Sequence, residues 1–171
     1  NTVYRQDGRL LVLLNRLGAV VDLTNERVVL QHESLEGAHN LLVHDGILWS
    51  NDSKRAALVG FDPETGEVER RIEVGKEASG GVRYGLGMIR YYGAAAMSRL
   101  WDRQLLAAPF FQRGLARISE GRVLVGMAAA RVIEVDLSTG AIVDQAQFAD
   151  DIRICVHGLL TGSATGHSPS G

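Results

Sequence analysis

The chain has 171 residues, a formal net charge of -2 and 46% hydrophobic residues, a composition typical of one globular domain. Its lysines and arginines are dispersed and its aromatic residues are few, so no nucleic-acid surface is expected. No run of about 18 apolar residues occurs, so no membrane span is expected. Cys155 is the only cysteine, so no intrachain disulfide can form, and we expect a cytoplasmic location.

Residues 1–36 predict a first unit of four short strands. The dipeptide DG at positions 7–8 precedes the apolar run RLLVLL, and the polar pair NR separates this run from GAVVDL. A turn at the dipeptide TN then leads to RVVL. Short apolar runs separated by turn residues are typical of antiparallel strands.

Residues 39–74 predict a second and clearer unit, HNLLVHDGILWSNDSKRAALVGFDPETGEVERRIEV. Two apolar runs flank the dipeptide DG, which predicts a hairpin. Residues 51–55 are polar and are expected to form a loop, after which residues 57–61 predict a third strand. The turn DPETG then leads to residues 67–74, where charged and apolar residues alternate as in an outer strand.

Residues 75–112 predict an insertion rather than another unit, because SGGVRYGLGMIRYYG is rich in glycine and tyrosine. Four apolar residues with helical spacing predict a short helix that ends before Pro109: Met97, Leu100, Trp101 and Leu105. Three tyrosines are candidates for a lid or a subunit contact: Tyr84, Tyr91 and Tyr92. We therefore expect any protein partner or self-association to involve residues 80–111.

Residues 113–146 repeat the order of elements seen in the first two units. The dipeptide EG at positions 120–121 precedes RVLVGM, and the turn STG follows the strand RVIEVDL. Residues 161–171 are small and polar and are expected to be disordered. The chain begins at Asn1 without an initiator methionine, and we expect it to be a fragment or a domain of a longer protein.

The three units share an order of turns and strands, not only a composition. Each has an acidic-glycine turn, and each has a second turn that follows an aspartate: Asp22, Asp62 or Asp136. Four short strands repeated at this period are the pattern of propeller blades, because one small sheet cannot bury both of its faces alone. The sequence therefore predicts an all-β fold, a β-propeller with a partial set of four-stranded antiparallel blades and one helical or loop insertion.

Residues 39–74 and 113–144 resemble blades of the NHL/YVTN-like and quinoprotein-like propeller superfamily. They are also similar to bacterial propeller proteins of the DUF4915 type. The resemblance implies the propeller fold. It does not imply one chemistry, since propellers of this group include lyases, lactonases, dehydrogenases and scaffolds.

Candidate site residues occur where the first strand of a unit begins. In a propeller this strand lines the central channel, so residues at its start converge on the axis. The matching tripeptides are HNL at 39–41, RGL at 113–115 and HGL at 157–159. We therefore predict a site for a small ligand on the axis, formed by His39, Asn40, Arg113 and His157.

Two chemistries suit these side chains. His39 and His157 could ligate a divalent transition metal such as Zn²⁺, Fe²⁺ or Mn²⁺, as in a lyase or hydrolase, while Arg113 grips a carboxylate or phosphate. Alternatively, the same side chains hydrogen-bond the backbone of a neighbouring blade and the protein is an interaction scaffold. His32 and His44 fall in or beside turns and are expected to be solvated.

Overall fold

The computed structural model describes residues 2–79, 85–86, 89, 93, 110–151, 154–159 and 161. This part of the chain forms three sheets, each with four antiparallel strands in sequential order. The predicted all-β class with four-stranded antiparallel units is confirmed. No helix within these residues is long and apolar enough to cross a membrane.

Each sheet is a continuous stretch of chain. The first sheet contains β1 (Thr2–Gln6), β2 (Arg9–Leu14), β3 (Ala19–Asp22) and β4 (Arg27–Gln31). The second contains β5 (His39–His44), β6 (Ile47–Asp52), β7 (Ala57–Phe61) and β8 (Val68–Ile72). The third contains β9 (Gln112–Ser119), β10 (Arg122–Met127), β11 (Arg131–Asp136) and β12 (Ile142–Gln147). A 3-10 turn at Glu33–Leu35 precedes the second sheet, and helix α1 (Val74–Ser79) follows it.

The turns form where the sequence predicts them. In the DG turn of the second sheet, Asp45 and Gly46 have φ values of 50° and 78°, as a tight hairpin between twisted strands requires. The second turn of each sheet is closed by its aspartate, whose Oδ1 accepts two backbone N–H groups. For Asp136 these come from Ser138 at 2.8 Å and Thr139 at 2.9 Å. Local side-chain chemistry therefore fixes the strand order.

The sheets pack face to face in chain order. Leu13 and Leu30 of the first sheet pack in one cluster with Leu48 and Phe61 of the second. The opposite face of the second sheet packs in another cluster with the third sheet through Trp49, Leu58, Val123 and Ile133. The first strands are also neighbours, since β1 contacts β5 and β5 contacts β9. The second sheet is therefore covered on both faces.

Two expectations about the second unit are wrong. The predicted loop at 51–55 begins later, because β6 continues through Asn51 and Asp52, which are both buried. Asn51 donates from Nδ2 to the carbonyl of Gly114 in the third sheet at 3.1 Å, so its polar side chain faces a sheet and not water. His44 is also buried, and its Nε2 accepts the N–H of Gly121 at 3.0 Å.

Two parts of the predicted organisation fall mostly outside the described residues. These are the core of the insertion, with its tyrosines and helical stripe, and the tail beyond residue 161. Helix α1 lies at the start of the predicted insertion and β9 begins at its end. The insertion as a lid or protein contact stays a prediction.

Candidate functional site

The start of β5 is tied to the starts of its neighbours. The backbone N–H of Asn40 donates to Oγ1 of Thr2 in β1 at 3.1 Å. Its side-chain Nδ2 donates to the carbonyl of Arg113 in β9. Asn40 has a positive φ of 66°, which asparagine tolerates better than most residues. The side chain of Asn40 therefore hydrogen-bonds the backbone of a neighbouring sheet, and its predicted contact with a ligand stays a prediction.

Both strands carry a bulge at this position. In β5 the extra residue is Asn40, since His39 pairs with Asn51 and Leu41 with Ser50. In β9 the extra residue is Arg113, between Gln112 and Gly114. Bulges bend a strand and re-aim its side chains. The bulge therefore falls on the second residue of the tripeptide HNL in β5 and on the first residue of the tripeptide RGL in β9.

The predicted residues His39, Arg113 and His157 lie in one cluster together with Phe111 and Cys155, here called the strand-start cluster. Nη1 of Arg113 lies 3.3 Å from Nδ1 and 3.1 Å from Nε2 of His157. The guanidinium carbon lies 4.9 Å from the centre of the Phe111 ring, a cation–π contact. The His39 ring meets Phe111 edge-on at 5.4 Å between centroids. Phe111 and Cys155 carry no sequence signal that pointed to this site.

Segment 154–159 completes the cluster by packing on the third sheet. A bridge joins Cys155 to Ala128, and Ala130 donates its N–H to the carbonyl of Ile154 at 2.7 Å. The segment approaches closely because Gly126 has no side chain: a Cβ there would lie 2.8 Å from the carbonyl oxygen of Val156. The glycine therefore places His157 against Arg113.

A second layer of hydrogen bonds supports His39. Nδ1 of His39 lies 3.0 Å from Oγ of Ser53, which in turn donates to the carbonyl of Gln112 at 2.6 Å. The Gln112 side chain is fully buried, and neither of its polar atoms has a hydrogen-bond partner among the described residues. Ser53 thus links the second sheet to the third directly behind the cluster.

The cluster is electropositive. Burial lowers the pKa of His39 below its usual 6.5, and the charge of Arg113 lowers it further. Burial raises the pKa of the Cys155 thiol, although Arg113 acts in the opposite direction. No carboxylate of the described residues forms an ion pair with Arg113, whereas Arg9, Arg55 and Arg71 each have at least one. Nε of Arg113 is also buried without a partner in this part of the chain.

The strand-start cluster contains both of the predicted metal ligands, His39 and His157. Across the described ranges, no group of three or more His, Cys, Asp or Glu side chains is placed to hold a metal ion. The two predicted ligands, His39 and His157, both lie near the positive charge of Arg113, which repels a cation. Metal ligation by His39 and His157 therefore stays a prediction.

A cavity of about 760 Å³ lies at the other end of the same strands. It is here called the strand-end cavity, and its lining residues come from β1, β5, β9, the turn after β9 and position 161: Tyr4, Gln6, Leu42, Val43, Arg117, Ile118, Ser119, Glu120 and Thr161. No sequence pattern indicated this cavity, because its lining residues come from four separate segments and form no motif. Strands β5 and β9 thus border the strand-start cluster at one end and, together with β1, the cavity at the other.

No protein-family model and no curated protein matches the chain. Among solved structures, the crystal structure of the computationally designed Ika4 protein is similar, with a TM-score of 0.55, 15% sequence identity, and coverage of 94% of this chain and 78% of that chain. The crystal structure of the computationally designed Ika8 protein gives a TM-score of 0.42 and 13% identity over 94% of this chain and 52% of that chain. At this identity the likeness to Ika4 concerns the fold alone.

Proposed function

We propose that the chain is a β-propeller domain with a binding site for a small anion at the strand-start cluster. The radial arrangement is supported by the packing of the three sheets in chain order and by the contacts between their first strands. Segment 154–159 takes the next place in the series, against β9 and β10. In a propeller these strand starts surround the axis.

The observation that carries the proposal is an arginine without a counter-charge. Arg113 is held by an aromatic face and by an imidazole, and not by a described carboxylate. A guanidinium fixed in this way presents planar donors that match a carboxylate, phosphate or sulfate. An anion would supply the missing negative charge.

The histidines strengthen the same interpretation. His39 and His157 both lie near the guanidinium, and the positive charge of Arg113 opposes the protonation of His39. A bound anion would offset that repulsion and raise the pKa of His39. Binding should therefore be coupled to proton uptake, and it should become tighter as the pH falls through the pKa of the complex toward the lower pKa of the free protein.

Sulfate is a suitable probe because its charge is constant across this pH range. Titration at constant ionic strength, with chloride as the replacement ion, would be followed by the imidazole NMR resonances of His39 and His157. We expect saturable shifts with sulfate that chloride does not produce, and tighter binding at pH 6 than at pH 8, roughly the range over which a histidine changes charge.

Variants separate the cluster from general surface charge. Arg113→Ala should weaken sulfate binding about tenfold or more, the usual loss for one charged hydrogen bond. The sulfate affinity of Arg113→Lys should lie between that of Arg113→Ala and that of the unmodified protein, because lysine keeps the charge but lacks the planar pair of donors. Arg16→Ala, which removes an exposed arginine elsewhere, serves as the matched control. Equal sulfate affinity in Arg113→Ala and the unmodified protein would exclude the proposal.

A further inference from the structure

The strand-end cavity is distinct from the strand-start cluster. His39 begins β5, whereas Val43, which lines the cavity, lies near its end. Four residues of extended strand separate these positions by about 13 Å. The volume of about 760 Å³ lies within the range of small-molecule sites. The cavity therefore needs an explanation of its own.

The charged groups of the cavity have both signs, and Arg117 and Glu120 are exposed to solvent. Arg117 and Glu120 form no ion pair with each other or with another described residue, although they border the same space. Oε1 of Gln6 is buried and accepts no hydrogen bond within the described ranges. A buried acceptor without a donor is uncommon in a folded protein. The cavity thus offers one cationic group, one anionic group and one free acceptor.

Part of the remaining wall is aliphatic. Leu42 and Val43 of β5 and Ile118 of β9 line the same cavity, together with the ring of Tyr4. A ligand that satisfies all of these groups carries a carboxylate, an ammonium group and an apolar side chain.

We propose that the strand-end cavity binds a zwitterionic ligand of the free amino-acid class with an apolar side chain. The ligand carboxylate lies at Arg117 and its ammonium group lies between Glu120 and Oε1 of Gln6. The aliphatic side chain contacts Leu42 and Ile118. A simple anion would make no favourable contact with Glu120 or with Oε1 of Gln6, and a simple cation would make none with Arg117.

Three related compounds test the charge pattern by calorimetric titration of the full chain. L-leucine carries both charges, N-acetyl-leucine lacks the ammonium group, and leucinamide lacks the carboxylate. We expect saturable binding of L-leucine and about tenfold weaker binding of each derivative, since each loses one charged contact. L-methionine and L-phenylalanine extend the test to other apolar side chains.

Substitutions locate the binding. Arg117→Ala should weaken L-leucine binding about tenfold and leave leucinamide binding unchanged, because leucinamide lacks the carboxylate. Glu120→Gln should also weaken L-leucine binding about tenfold, but it should leave N-acetyl-leucine binding unchanged, because that compound lacks the ammonium group. Arg5→Ala is the matched control, since Arg5 is exposed on β1 and does not line the cavity. The proposal fails if none of the three amino acids binds saturably at millimolar concentration. It also fails if the three leucine compounds bind equally, or if Arg5→Ala has the effect of Arg117→Ala.

Discussion

Gly126→Ala tests the placement of segment 154–159 without altering any side chain of the strand-start cluster. The new Cβ would lie 2.8 Å from both the carbonyl oxygen and Cγ1 of Val156, whereas ordinary contacts begin at 3.4 Å. Val156 must therefore withdraw by about 0.6 Å. A rotamer change cannot relieve the contact, because one of the atoms belongs to the backbone.

The energetic estimate compares two opposing effects. Overpacking of this kind costs about 1–3 kcal/mol. Replacing glycine by alanine also restricts the unfolded chain, which stabilises by about 0.4–1 kcal/mol. The cost of overpacking is the larger of the two effects, so we expect the free energy of unfolding to fall by about 1–2 kcal/mol in a urea titration. Sulfate binding should weaken as well, because His157 moves with the segment.

Gly158→Ala is the control for this substitution. A Cβ at Gly158 meets no atom within 4 Å, and its φ lies outside the left-handed region. We expect this variant to be as stable as the unmodified protein or more stable by up to about 1 kcal/mol. If Gly126→Ala were equally stable and bound sulfate normally, segment 154–159 would not pack on the third sheet as described.

Three further predictions concern single ionisable or polar groups. Arg113→Ala should raise the pKa of His39 toward 6.5 in an NMR titration, because it removes the nearby positive charge. Burial disfavours the charged imidazole in both proteins, so the free energy of unfolding should decrease as the pH falls below 6.5 and His39 becomes protonated. His44→Ala removes the acceptor of a backbone N–H in the third sheet and should lower the free energy of unfolding by about 1–3 kcal/mol in urea; an unchanged midpoint would contradict the assigned bond. A hydrogen bond from Asn25 is the chief reason that the pKa of Asp22 is lowered to about 2. The ionised carboxylate should therefore stabilise the fold above pH 3.8, and this stabilisation should be lost as the pH falls toward 2. In Asp22→Asn, the free energy of unfolding should no longer decrease over this pH range on account of residue 22.

The sequence predicted the strand order because short-range chemistry determines it. The DG turn at Asp45 and Gly46 needs two positive φ values, and the aspartate turn at Asp136 needs one acceptor beside two N–H groups. These requirements are met by residues that are adjacent in the chain. They can therefore be recognised without knowledge of the rest of the fold.

The site was predicted only in part, because its geometry depends on residues far apart in the chain. The recurrence of His39 and Arg113 at strand starts pointed to a shared location, and the structure brings both into the cluster. Phe111 was not recognised, since an aromatic residue before a strand is also typical of ordinary packing. Asn51 was predicted to lie in a loop because it is polar, although its side chain donates a hydrogen bond from the second sheet to the third. Polarity alone does not distinguish a solvated amide from one that bonds a neighbouring backbone.

One position in each sheet determines how the next strand approaches. The fifth residue after the hairpin glycine is Leu13 in the first sheet, Asn51 in the second and Gly126 in the third. Leu13 packs in the apolar cluster with the second sheet, Asn51 bonds Gly114 of the third, and Gly126 leaves room for the backbone of Val156. The residue at this position thus contacts the next element through an apolar side chain in the first sheet and through a hydrogen bond in the second. In the third sheet it has no side chain, which lets the next element come close. Since the backbone of Val156 comes this close only where the side chain is absent, the contact of His157 with Arg113 depends on a glycine at this position of the third sheet.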